Sequence, residues 1–402
     1  MALIVVVITD IILLFNVAKG ILAHRLLADR LSNGDENLIK LIIDNRYNFN
    51  TSLTIIDEVP FQFQYRNLKF NIKLSPKGNE IIKYNLRPVK RGEYEFGLIN
   101  IYVCSPIGLI SRRYQLDKKV TVPVYPSYIQ MRKFELLAIS NQLTAIGIKK
   151  IRRIGHNMEF EQIKEYTEGD DFRSINWKAT ARHGELMVNT YQDEKSQQVY
   201  CIIDKSRVMQ MPFDGMSLLD YAINTSLALA NIIIKKDDKA GLLTFQHKVG
   251  AHLKASGSNK QMLKILETLY NEKTAYKEAD YSRLYIDIKQ NINQRSLLLL
   301  FTNFETRSAM KRQLPYLQKL ARAHLLVVIF FENTEMRSLI HEPASNTKGI
   351  YYKAIAENLH FEKKLIAQEL SKHGIHSVIS APSELSINSI NKYLELKSRG
   401  MI

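Results

Sequence analysis

Alternating apolar and polar positions organise the first third of the chain. The runs LIKLIID (38–44), SLTIIDEV (52–59), FQFQY (61–65), KFNIKL (69–74) and EYEFGLINIYVCSP (93–106) change character at nearly every residue. Gly34, Pro60, Pro76, Gly78, Gly92 and Pro106 separate several of them. Short period-two runs divided by turn residues predict an antiparallel β-sandwich over 33–127, with KVTVPVYP (119–126) as its last strand. Residues 128–196 have few apolar runs and many charges. Over 197–402, QVYCIID (198–204), AGLLTF (240–245), VGAHLKA (249–255), RSLLLLFTNF (295–304), LLVVIFF (325–331) and IHSVIS (375–380) read as strands. Helical stripes lie between them, one opening at Ser217 and Asp220, another capped by Ser258 with Gln261. Apolar strands alternating with helices predict a mostly parallel, doubly wound α/β domain.

The chain opens on an apolar run, Ala2 to Ala18, interrupted by Asp10. No Lys or Arg precedes it, which argues against a secretory signal, whereas Lys19, Arg25 and Arg30 follow it. The positive-inside rule then predicts one transmembrane helix with its juxtamembrane segment over 1–32, in the inner (cytoplasmic) membrane, and the bulk of the chain facing the cytoplasm. A carboxylate at mid-bilayer costs about 2.5–3.5 kcal/mol, so Asp10 is expected to face another helix or a polar contact. A chain that starts late, after a lost first membrane helix, accounts for the missing neighbour.

Composition narrows the function classes. The 402 residues are 46 % hydrophobic and 24 % charged, as in ordinary globular proteins, which excludes wholesale disorder. The formal charge of +16 calls for an acidic partner, either nucleic acid or an anionic membrane face. Cys104 and Cys201 are too few for a disulfide framework or a four-cysteine zinc site, consistent with a reducing compartment. There is no GxGxxG, no phosphate-binding GxxxxGK[ST] loop and no GxSxG elbow.

Two regions carry candidate chemistry. Ligands of open α/β sheets bind beyond the carboxyl ends of the strands, where Asp204 and Ser206 leave the first strand and Thr302 and Asn303 end the central one. A carboxylate and a hydroxyl on one loop suit a hard cation such as magnesium, but both residue types are also common in loops and caps. The denser constellation comprises Glu159, Glu161, Glu165, Tyr166, Gly169, Asp170, Asp171, Arg173, Trp177, Arg182 and Glu185. Its interleaved carboxylates and guanidinium groups predict an ion-pair network, with acid–base catalysis as the alternative. With two glycines, no proline and an aromatic pair, 159–194 is expected to be a rigid bridge with Trp177 buried and Arg173 and Arg182 paired to Glu165, Asp170 or Asp171.

The stretch 159–194 (EFEQIKEYTEGDDFRSINWKATARHGELMVNTYQDE) resembles the signature of the domain-of-unknown-function 58 family. The match is carried by Glu165, Tyr166, Gly169, Asp170, Asp171, Arg173, Ile175, Trp177, Ala181 and Arg182, while Lys164 replaces the usual Arg and Asn176 the usual Asp. The resemblance implies N-terminal membrane helices (many members have two), a β-sandwich ending in Val124-Tyr125-Pro126, the signature segment over 128–196, and a von Willebrand factor type A-like domain over 197–402. In that fold a metal site takes Asp-x-Ser-x-Ser, a Thr and an Asp. Asp204 and Ser206 match, Val208 and Asn303 depart from the pattern, and Thr274 stands near the second loop. A degenerate, metal-free binding face is therefore expected, magnesium being the alternative. The resemblance further implies a non-enzymatic interaction module whose partners are a MoxR-type AAA+ ATPase and other envelope proteins, in envelope assembly or stress processes. An enzyme using 159–185 is the alternative. Nucleic-acid binding ranks last, because the basic residues are spread along the chain without a recognition motif.

Overall fold

The computed structural model describes residues 2–401 apart from 66–67, 118, 140–157, 168–169, 171, 194–195, 275, 335–339 and 341–345. The chain divides into two compact units: 1–133 with 212–227 and 266–273, and 134–211 with 228–265 and 274–402.

The first unit is β-rich. One antiparallel sheet has the order β1 (Ile21–Leu26), β3 (Asn37–Asn45), β6 (Asn79–Leu86). A second, also antiparallel, runs β5 (Lys69–Leu74), β4 (Thr51–Asp57), β8 (Ile99–Cys104), β9 (Ser111–Leu116). In the third, β10 (Val120–Tyr125) lies between β2 (Leu31–Ser32), which is parallel to it, and antiparallel β7 (Gly92–Phe96). Alternation places Ile21, Ala23, Leu41 and Ile43 of the first sheet in one apolar core with Leu53, Ile55, Ile99, Ile101 and Val103 of the second. A ribbon of β14 (Pro212–Phe213) and β15 (Met216–Ser217) belongs to the same unit. Arg91 ties the later segments in: its Nε donates to Asp220 Oδ1 at 2.8 Å and its Nη2 to the Glu272 carbonyl at 2.6 Å.

The expected transmembrane helix is overturned. The apolar run forms α1 (Ala2–Phe15), 14 residues, and no described helix is long and apolar enough to cross a membrane. At 1.5 Å per residue, α1 reaches about 21 Å against a hydrocarbon core of about 30 Å. Its end is fixed by polar contacts. Tyr47 Oη and Arg112 Nη1 donate to the Leu14 carbonyl at 2.7 and 2.6 Å, and Arg112 also reaches the Val17 carbonyl at 2.7 Å. Asp10 is fully buried and accepts from the Ser105 hydroxyl and from the Leu109 and Ile110 amides at 3.1 and 2.9 Å. Its polar contact is the β8–β9 loop, and the expected juxtamembrane segment holds strand β1.

The second unit is α/β, around a six-stranded sheet of order β17 (Val249–Ser256), β16 (Lys239–Phe245), β13 (Gln198–Asp204), β18 (Leu297–Phe301), β19 (Leu325–Phe331), β20 (His376–Ser380). All neighbours are parallel except β17, which is an antiparallel edge on β16. Both faces of β13, β18 and β19 are buried, which explains their unbroken apolar runs. On one face, Tyr200, Ile202, Leu298, Leu300, Val328 and Phe330 pack with Leu284 of α6 (Tyr281–Asn291), Leu317 of α7 (Arg307–Ala323) and Ile366 of α8 (Thr347–Lys372). Among the described residues, α3 (Trp177–His183) and α9 (Leu385–Ser398) also belong to this unit, while α2 (Tyr128–Ile139), α4 (Leu218–Lys235) and α5 (Asn259–Asn271) have residues in each unit. A two-stranded hairpin, β11 (Met158–Glu165) with β12 (Met187–Asp193), encloses α3 in sequence.

Candidate functional site

Parallel strands deliver their carboxyl ends to one edge, and here β13 and β18 bring Asp204, Ser206, Thr302 and Asn303 around a cavity of about 170 Å³. Arg207, Val208, Glu278, Tyr281, Glu305 and Arg312 also line it. Asp204 is 1 % exposed. Its Oδ1 accepts from the Ser206 amide at 2.8 Å and its Oδ2 from the Thr302 hydroxyl at 2.8 Å. Burial pushes the Asp204 carboxyl up from its ordinary value, against the Ser206 side chain, the Ser206 amide and the Thr302 hydroxyl, which favour the charged form. Tyr281 Oη lies 2.9 Å from Thr302 Oγ1.

Ser206 precedes the 3₁₀ turn Arg207–Met209 but makes no capping bond. Its buried hydroxyl meets no partner at full hydrogen-bonding distance among the described residues, but it bears on the Asp204 carboxylate and helps hold it ionised. Asn303, 7 % exposed, accepts at Oδ1 from the Lys363 ammonium at 2.5 Å. Burial lowers the Lys363 pKa to about 8.

This donor set suits magnesium poorly. Asp204 already accepts two bonds, Glu278 faces Arg207 at 3.5 Å, Val208 brings no side-chain oxygen, and the Lys363 ammonium occupies the Asn303 oxygen. No three His, Cys, Asp or Glu residues come together in a metal-holding group among the described residues. Thr302 supplies the hydroxyl on Asp204, whereas Thr274 does not line the cavity. Sequence reasoning missed Tyr281 and Lys363 as members of the site. Both lie on helices remote in sequence from Asp204, with no local motif to mark them.

The signature residues occupy the β11–β12 hairpin and the turn and helix between its strands. Asn176 caps α3, accepting from the Ala179 amide at 3.1 Å, and donates to Asn189 Oδ1 at 2.9 Å. Lys164 Nζ meets Asp170 Oδ1 at 3.0 Å, while Thr167 donates to Asp170 through its amide at 3.0 Å and its hydroxyl at 2.9 Å. These bonds, the Thr167 amide foremost, hold the Asp170 carboxyl down at about 2. Tyr166 and Phe172 have ring centroids 5.5 Å apart. The expected burial of Trp177 is overturned: it is 70 % exposed, because α3 is only seven residues long and none of them is buried. Glu165 and Arg182 are exposed, and among the described residues Arg182 has no carboxylate partner. Gly169, Asp171 and the side chains of Arg173, Glu159 and Glu161 lie outside the described residues.

Residues 162–337 match the family described as "Protein of unknown function DUF58". The chain is 22 % identical over 166 residues to "Uncharacterized protein YeaD" of Bacillus subtilis (strain 168), covering 41 % of this chain and 39 % of that protein. It thus spans about two fifths of that relative's length. Among solved structures, the conserved hypothetical protein BatB from Bacteroides thetaiotaomicron aligns over 51 % of this chain and all of its own, at 12 % identity and a TM-score of 0.31. The CARDB domain of the PF1109 protein from Pyrococcus furiosus aligns over 26 % of this chain and 86 % of its own, at 14 % identity and a TM-score of 0.18. At such scores neither likeness identifies the fold.

Proposed function

We propose that this chain is a non-enzymatic protein-interaction module that receives a partner side chain in the Asp204–Ser206 cavity. The observation that carries the reading is the cavity at the carboxyl edge of the sheet, where the buried side chains of Asp204, Ser206, Thr302 and Asn303 gather. A volume of about 170 Å³ suits one inserted side chain, and the polar floor of Asp204, Thr302 and Asn303 suits a hydrogen-bonding one. By resemblance, we propose a MoxR-type AAA+ ATPase as the partner and a von Willebrand factor type A-like character for the α/β unit. We further propose that the protein works at the cytoplasmic face of the inner membrane, with α1 lying against the bilayer. Leu3, Ile4, Val5, Ile8, Ile12 and Phe15 are exposed on α1, and the +16 charge favours an anionic surface.

Affinity capture from solubilised membranes tests the reading, comparing the native chain with Ser206→Leu, which fills the cavity. The expected result is an ATPase recovered by the native chain and lost with the variant, both folded by circular dichroism. Identical recovery from the two overturns it.

A further inference from the structure

Three segments distant in sequence bring cations together around the turn between β16 and β17. His247 and Lys248 sit in that turn. Lys277 arrives from the loop before α6, with its Nζ 3.4 Å from His247 Nε2. Arg283, in the first turn of α6, donates from Nη1 to the His247 carbonyl at 3.1 Å. Lys205 follows β13, its amide donating to the Phe245 carbonyl at 2.8 Å. Gly250 leaves room for the Lys205 ammonium, since a Cβ there would fall 2.8 Å from Lys205 Nζ and 2.6 Å from Thr244 Oγ1. Backbone bonds from Asp280 to the Gln246 carbonyl (2.9 Å) and from Arg207 to the Lys277 carbonyl (3.1 Å) lock the loops together. The convergence is thus part of the folded framework.

The acids nearby cancel only part of this charge. Asp280 is held by Arg283 Nε at 3.2 Å and by the Ser282 and Arg283 amides, and Glu278 faces Arg207 at 3.5 Å. On α6, Asp287 is engaged with His252 at 3.0 Å. Partial burial and then the charges of Lys277, Lys248, Arg283 and Lys205 depress the proton affinity of His247. His247 Nδ1 is buried without a hydrogen-bond partner among the described residues. Beside Lys277, Tyr276 is 86 % exposed.

We propose that this cluster is a docking site for an acidic segment of a partner protein, a short run of Asp or Glu side chains. The inference deepens the interaction-module reading and rests on it for the origin of that segment. Lys248 and Lys277 are exposed lysines, whose flexible stems follow a chain of carboxylates, whereas Lys205 is buried and Arg283 is paired with Asp280. A phosphate-selective site would instead present forked guanidinium groups or a fixed nest of backbone amides.

The test follows His247 by NMR in the full chain with labelled histidine, its resonance assigned with His247→Gln. The probe is a hexaglutamate peptide, with inorganic phosphate and a single-stranded oligonucleotide in parallel. Carboxylates arriving on Lys248 and Lys277 offset their charges, so the peptide should raise the His247 titration midpoint. Raising the salt should weaken the effect. Lys248→Glu with Lys277→Glu, two exposed positions outside the Ser206 cavity, should weaken peptide binding by about tenfold or more. The proposal is overturned if hexaglutamate leaves His247 unmoved, if the charge-reversed chain responds equally, or if phosphate or the oligonucleotide acts at lower concentration than the peptide. Peptide binding without any ATPase in the Ser206 capture would retain this site and remove the module reading.

Discussion

The Thr302 hydroxyl donates to Asp204 Oδ2 at 2.8 Å, and since a hydroxyl has one proton, Tyr281 must be the donor in its 2.9 Å contact with Thr302. The order Tyr281 to Thr302 to Asp204 is directional and buried. Thr302→Val should therefore cost about 1–3 kcal/mol, because it strands both the Tyr281 proton and an Asp204 oxygen. Tyr281→Phe, which strands neither, should cost about 1 kcal/mol. Denaturant titration of both variants checks the ranking.

A second buried pair dominates the first unit. Arg25 and Asp57 form a two-point contact in which Arg25 Nε reaches Asp57 Oδ2 at 3.2 Å, both side chains almost fully buried, with the Tyr84 hydroxyl on the same carboxylate. Arg25→Leu leaves that carboxylate without its cation and should cost about 3–5 kcal/mol. Adding Asp57→Leu should restore most of the loss, since replacing a whole buried pair by apolar residues is often near neutral. A double-mutant cycle by thermal melting measures the difference.

Lys363 sets a pH dependence. Its folded pKa is depressed to about 8 from an ordinary 10.5. Between those values the unfolded chain binds more protons than the folded one, so this group's contribution to stability rises with pH across that window. Below about pH 8 the burial of its ammonium is a constant cost. Urea midpoints at pH 7.5 and 10 should differ less in Lys363→Met than in the native chain.

Trp177→Ala should change stability by no more than about 0.5 kcal/mol, as expected of an exposed side chain, against about 3–5 kcal/mol had it been buried. A melting curve separates the two values.

The α/β unit was legible because β13, β18 and β19 are covered on both faces and so read as solid apolar blocks at strand length. Asp204, Ser206 and Asn303 were legible because strand ends in such sheets gather ligands. The α1 segment was misread because hydropathy registers the run Ala2–Ala18 but not Arg112 and Tyr47, which take up the carbonyls at its end. Trp177 was misread because aromaticity predicts burial only where a second apolar layer exists. The cations at 205, 248, 277 and 283 are neighbours only through three loops, and no window along the chain contains them.

The staple at Asp10 also dictates an order of events during synthesis. Asp10 is made 95 residues before Ser105 and 100 before Ile110, the groups that satisfy its carboxylate. At about 5–20 residues per second, that gap lasts roughly 5–20 s. Throughout it the carboxylate lacks these partners even though Tyr47 can already take up the Leu14 carbonyl, so the seating of α1 is completed only when the β8–β9 loop has been made. A factor that shields nascent apolar helices has its window of action here, and it closes when the β8–β9 loop emerges.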